Sequence, residues 1–209
     1  MAPSLADDPP SAYPPWFRSL LALFVISGSG GLLAQVCYSK YLLTIVGATA
    51  HATSAVLAAF MTGLALGAAL GGRWSKQQRR PLVGYAAAEF VVAGALALGP
   101  SAFALLTELY VSLATTTDSI ALLTLLRWLV ALGVVIVPTT AMGATLPILA
   151  AGLGSPSVRQ RRLGALYAAN TLGGATGALI GAYAIIPSLG LSASLYGAAT
   201  CSVASSLRP

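Results

Sequence analysis

Apolar residues fill this chain in long unbroken runs, not in the one-sided rhythm of a surface helix. Runs near the length needed to cross a bilayer, about 20 residues, cover 17–37, 51–72, 82–99, 119–137, 163–186 and 190–206. Short polar stretches separate them. Apolarity on all faces marks membrane spans or deeply buried helices. The pattern predicts an all-α fold: a polytopic transmembrane helix bundle of about six spans over 17–207, behind a Pro-rich cytoplasmic tail at 1–16.

Composition strengthens this reading. Of 209 residues 57% are hydrophobic and 8% charged, against about 25% charged in soluble domains, and mean hydropathy is +0.84. The opening stretch MAPSLADDPPSAYPPWFR lacks the basic n-region and small-residue cleavage site of a signal peptide, so the first run is expected to remain as a span. Net charge is +6. The basic residues sit in short loops, where they act as topology signals and lipid contacts and not as a nucleic-acid footprint. Placing both termini in the cytoplasm, most simply at a bacterial inner membrane, puts Arg18, Arg73, Lys76, Arg79, Arg80, Arg159, Arg161, Arg162 and Arg208 inside. Lys40, Glu108 and Asp118 then fall outside, and Arg127 falls within a span.

Two regions depart from simple spans. Residues 119–153 are too long for one straight crossing and contain Pro138 and Pro147. Two crossings there would put SPSVRQRR outside, against the charge bias. The expectation is one span followed by a kinked or re-entrant segment, TTAMGATLPILAAGL, broken at the prolines and covered by protein or a watery cavity. Segment 101–113, SAFALLTELYVSL, is short for a span and is expected to lie along the outer interface.

Glycines repeat every fourth residue in two runs: Gly63, Gly67 and Gly71, then Gly173, Gly177 and Gly181. That spacing puts each set on one helix face, where another backbone can approach closely. Both runs are middle members of three-span halves that start on opposite sides. The arrangement suggests a 3+3 inverted repeat, as in many transporters.

Polar residues inside spans mark functional or structural contacts. Glu89 and the pair Asn170–Thr171 sit at similar depth, so Glu89 and Asn170 are expected to meet. Such a pair is either a proton or cation site or a hydrogen-bonded lock between two helices. Arg127, beside Trp128, is expected to snorkel to the outer headgroups, with contact to a substrate anion as the other reading. Gln35 can hydrogen-bond across helices. His51, the sole histidine, begins a span and reads as an interfacial, solvated residue. ISGSGG at 26–31 has no preceding strand and no full GxGxxG, so its glycines read as packing residues. Cys37 and Cys201 are far apart and apolar in context. The chain presents no catalytic constellation, no metal-ligand set and no cofactor motif.

The stretches SGSGGLLAQVCYSKYLL, GATAHATSAVLAAFMTGLALGAALGGR, PTTAMGATLPIL and GALYAANTLGGATGALIGAYAIIPSLG resemble the membrane half of the spermidine-synthase-like integral membrane proteins, the major-facilitator/spermidine-synthase fusion type. MGATLP and YAANTLGGATGA carry the resemblance most specifically. Glu89, Pro147, Asn170 and Thr171 fit that family's pattern, whereas Gln35 stands where the family often has Glu. The resemblance implies the membrane module alone. The aminopropyltransferase-like domain of such proteins, with its nucleotide loop and acidic amine site, is not among these residues. Three readings follow: a non-catalytic membrane subunit or scaffold packed with other subunits or with itself, a small transporter for polyamine-like or other small solutes, and the membrane half of a split enzyme.

Overall fold

A computed structural model describes residues 13–46, 50–77, 80–116 and 119–207. The described residues are helical apart from short turns. The helices are α1 (Pro15–Val46), α2 (Ala50–Ser75), α3 (Pro81–Ala114), α4 (Ile120–Ala150), α5 (Pro156–Ile180) and α6 (Ile186–Ser206), with one π-helical turn, Gly181–Ile185, between the last two. Five helical segments are long and apolar enough to cross a membrane: Pro15–Thr44, Val56–Ser75, Pro81–Leu113, Leu132–Ala150 and Pro156–Ser206.

The fifth segment doubles back. Gly190 has φ 81° and ψ 174°, a region open essentially to glycine alone. Before it, Gly173, Gly177 and Gly181 meet Val25, Ser29 and Leu33 in turn, so α5 runs parallel to α1. After it, Tyr41 pairs with Ser192 at 2.7 Å and Ser205 Oγ donates to the Leu23 carbonyl at 3.2 Å, so α6 runs antiparallel to α1.

Two expectations are corrected. Segment 101–113 is not a separate interfacial piece; it is the second half of α3, which continues through Pro100. Tertiary packing holds it there: Phe103 is buried and stacks on Tyr41 at 4.7 Å, with Tyr38 at 5.6 Å. Nor does 139–153 form a re-entrant segment. α4 runs unbroken to Ala150 with Pro138 and Pro147 inside it. The prolines leave the Val134 and Gly143 carbonyls, four residues back, without an amide donor; the hydroxyls beside them bond other carbonyls, Thr139 Oγ1 those of Val135 and Ile136 and Thr145 Oγ1 that of Met142. At 31 residues α4 is roughly 46 Å long. It joins both ends of the bundle in one pass, which returns the chain to the end where α1 begins.

The helices meet in a definite set. α2 packs along α4 and α1 along α5; α3 packs on α4 and α6 on α1; α3 and α6 pack on each other. The first two pairs are the closest, and they use the glycines. Gly63 faces Thr139, Gly67 the Thr140 carbonyl and Gly71 the backbone of Ala144. Across the molecule, Gly173 and Gly177 face the Val25 and Ser29 carbonyls, and Gly181 faces the Leu33 side chain. Ser29 Oγ adds a bond to the Gly173 carbonyl at 2.9 Å. One apolar cluster, with Tyr38, Leu42, Phe60, Leu96, Phe103 and Leu195, fills the middle. A second, with Phe17, Phe24, Tyr85, Leu149 and Leu166, fills the end that carries the basic loops.

Candidate functional site

The buried polar centre of the molecule lies where α1, α3 and α6 meet. Glu89 is only 1% exposed. Tyr85 precedes it by one helical turn and so shares its face. Phe24 of α1 stacks on the Tyr85 ring at 5.5 Å and holds it inward. Ser27, one turn further along α1, donates to Glu89 Oε1 at 2.5 Å. From α6, Ser202 reaches the Glu89 carboxyl and Ser205 the Tyr85 hydroxyl. Glu89 Oε2 and Tyr85 Oη nevertheless make no hydrogen bond of ordinary geometry. No basic side chain pairs with Glu89 among the described residues. The carboxyl is bonded to α1 through Ser27 and lies beside Ser202 of α6, and its Oε2 is left with a bond to make.

The expected contact between Glu89 and Asn170 does not form. Asn170 is half-buried against α1 as well, but on another side: its carbonyl and its Oδ1 lie where a Cβ on Gly28 would point. Ser27 and Gly28 are consecutive residues and point about 100° apart around the helix, so the two polar groups pack on different faces of α1. The reason is the glycine face of α5. It seats that helix directly on the α1 backbone and leaves α3 to pack on α4 and α6 instead. Thr171 is exposed and donates back to the Tyr167 carbonyl at 2.9 Å. Gln35 is half-buried and lines an open groove of ≈ 460 Å³ between α1 and α5, beside Ser39 and Lys40. Arg127 falls within α4, but its side chain lies outside the described residues, as do His51, Asp118 and the tail 1–12. Among the described residues no three His, Cys, Asp or Glu side chains gather, and Cys37 and Cys201 are free thiols.

Tyr85 is not among the residues expected from the sequence, although its place four residues before Glu89 puts both on one helix face. Ser27, Ser202 and Ser205 carried no such signal, because small hydroxyls are common in apolar helices. A second set also escaped the sequence reading. Arg162 Nη1 donates to the Leu153 carbonyl at 3.0 Å and Arg159 Nη2 to that of Gly154 at 3.1 Å, closing the turn after α4. Arg162 lies over the Trp16 ring at 4.9 Å, and Arg161 over Tyr13 at 5.4 Å. These arginines thus pin the start of α1 to the start of α5, in addition to carrying charge.

Comparison with known proteins adds no relative: no family model, no curated protein and no solved structure matches this chain.

Proposed function

We propose that this chain is a non-catalytic integral membrane subunit or scaffold, a module like the membrane half of the spermidine-synthase-like proteins, that packs with partner chains. In this reading it crosses a bacterial inner membrane six times, with both termini in the cytoplasm. The observation that carries it is the closure of Glu89. The carboxyl is sealed among three helices and tied to Ser27, so it joins helices together and does not line a path. The surface around that locked interior is broadly apolar: Phe90, Leu98 and Leu105 of α3, with Leu172 and Leu179 of α5, all stand exposed. Lipid or partner helices cover such a surface. Native extraction into lipid nanodiscs, followed by identification of co-purifying proteins and mass measurement, tests the reading. A stoichiometric membrane partner or a defined self-assembly is expected. A lone chain with lipid only would count against it.

One observation favours transport of polyamine-like or other small solutes as a second reading. The helix pairs form a set that is unchanged when α1–α3 are exchanged with α4–α6. Each middle helix lays its glycine ladder along the first helix of the other half. This reciprocity supports a 3+3 inverted repeat, the plan on which many carriers alternate. Glu89 would then bind a proton or the cationic solute. Uptake into proteoliposomes that Glu89→Gln abolishes would establish transport; equal flux in the wild type and in empty vesicles would remove it.

A further inference from the structure

α2 and α3 follow one another in the chain but barely touch. Between them, with α4 as the floor, lies an open groove of ≈ 500 Å³. Leu70 and Trp74 of α2, Ala88 and Val91 of α3, and Ala144 and Ile148 of α4 line it. Its surface is apolar apart from Thr140. At one end the groove reaches Trp74, and there the charge changes abruptly. Arg73 and Lys76 at the end of α2 and Arg80 before α3 are all exposed. Among the described residues no carboxylate pairs with any of them. Arg80 precedes Ala88 by about 12 Å of helix, so the three cations crown the groove and do not line it.

We propose that this groove binds one anionic phospholipid, its phosphate held by Arg73, Lys76 and Arg80 and one acyl chain laid between α2 and α3. Charge complementarity selects the occupant. Basic pockets at the ends of transmembrane helices attract anionic headgroups, and Trp74 stands at the level where indoles mark the membrane interface. A single hydrocarbon chain is slim enough to enter. The site is separate from the Glu89 centre and does not depend on the scaffold reading.

Native mass spectrometry of the full chain, released from detergent after exchange into equal phosphatidylglycerol and phosphatidylcholine of matched chains, tests the site. One tightly held phosphatidylglycerol is expected. Arg73→Gln or Arg80→Gln should each weaken its retention roughly fivefold, and the pair about 30-fold. Ala88→Leu, which fills the groove and keeps the cations, should also lower retention. Soluble glycerol phosphate should not displace the lipid, because it lacks the chain. Equal retention of the two lipids, displacement by glycerol phosphate, or variants that hold phosphatidylglycerol like the wild type would each overturn the proposal. The arginines are exposed, so their variants keep the fold; unchanged helical circular dichroism and elution volume verify this for all four variants.

Discussion

Replacing Gly67 by alanine tests whether the glycine ladder sets the spacing of α2 and α4. A Cβ there falls on the Thr140 carbonyl oxygen, with Thr140 C at 2.8 Å and the Ala144 nitrogen at 2.9 Å. All three are backbone atoms of a helix and cannot turn aside. The helices must therefore separate by about 1 Å, and Gly63 and Gly71 lose their close contacts together with Gly67. Overpacking of this kind costs ~1–3 kcal/mol, and lost dispersion at ~0.1–0.2 kcal/mol per atom pair puts the cost near the upper end. The helix itself gains ~1 kcal/mol from Gly→Ala, leaving a net loss of about 2 kcal/mol. Gly72, on the same helix, has no atom within 4 Å of its would-be Cβ. There the same substitution should be neutral or stabilise by up to ~1 kcal/mol. For a chain of this size ~1 kcal/mol moves Tm by about 2–4 °C, so the two variants should differ by roughly 4–12 °C. Thermal unfolding in one mild detergent, followed by helical circular dichroism, reads the difference. Equal midpoints for Gly67→Ala and Gly72→Ala would refute the close-approach argument.

Gly190→Ala should destabilise by ~1–3 kcal/mol, since φ 81° with ψ 174° excludes a Cβ even where there is space for one; the same melting assay measures it. Phe103→Ala should cost ~3 kcal/mol or more and Leu105→Ala, 65% exposed, little; comparable midpoints would return 101–113 to the membrane surface. Cysteines placed at Lys76 and at Thr116, in a background with Cys37 and Cys201 replaced by Ala, should react with an impermeant maleimide from opposite sides of sealed vesicles. Reaction of both from one side would remove the topology built on α3 as a full crossing.

The helices and their membrane character were legible from residue order because both are local properties. A run of apolar side chains predicts a span whatever surrounds it, and the four-residue spacing of Gly63, Gly67 and Gly71 defines a face by helix geometry alone. The boundaries were less so. Pro138 and Pro147 read as interruptions, since a proline inside an isolated helix breaks its bonding, and 101–113 read as too short for a span. Within the bundle, Phe103 packs against Tyr38 and Tyr41 just past Pro100, and the α2 glycines press on Thr139, Thr140 and Ala144, between the two prolines of α4. Whether a proline breaks a helix thus depends on neighbours that lie outside the local window.

The candidate site divides in the same way. Sequence alone determined that Glu89 sits in an apolar span, that Asn170 lies at matching depth, and that the cations gather at one end. Depth follows from counting residues along a helix. Which polar groups meet at that depth follows from rotation and from neighbour choice, and no single helix contains that information. The tertiary structure seated the α5 glycines on α1, brought Ser27 and α6 to Glu89, and left Asn170 on a different face of α1. The physical reason is steric: backbones approach only where side chains are absent, so the glycine faces decide which helices touch before any polar pair can form.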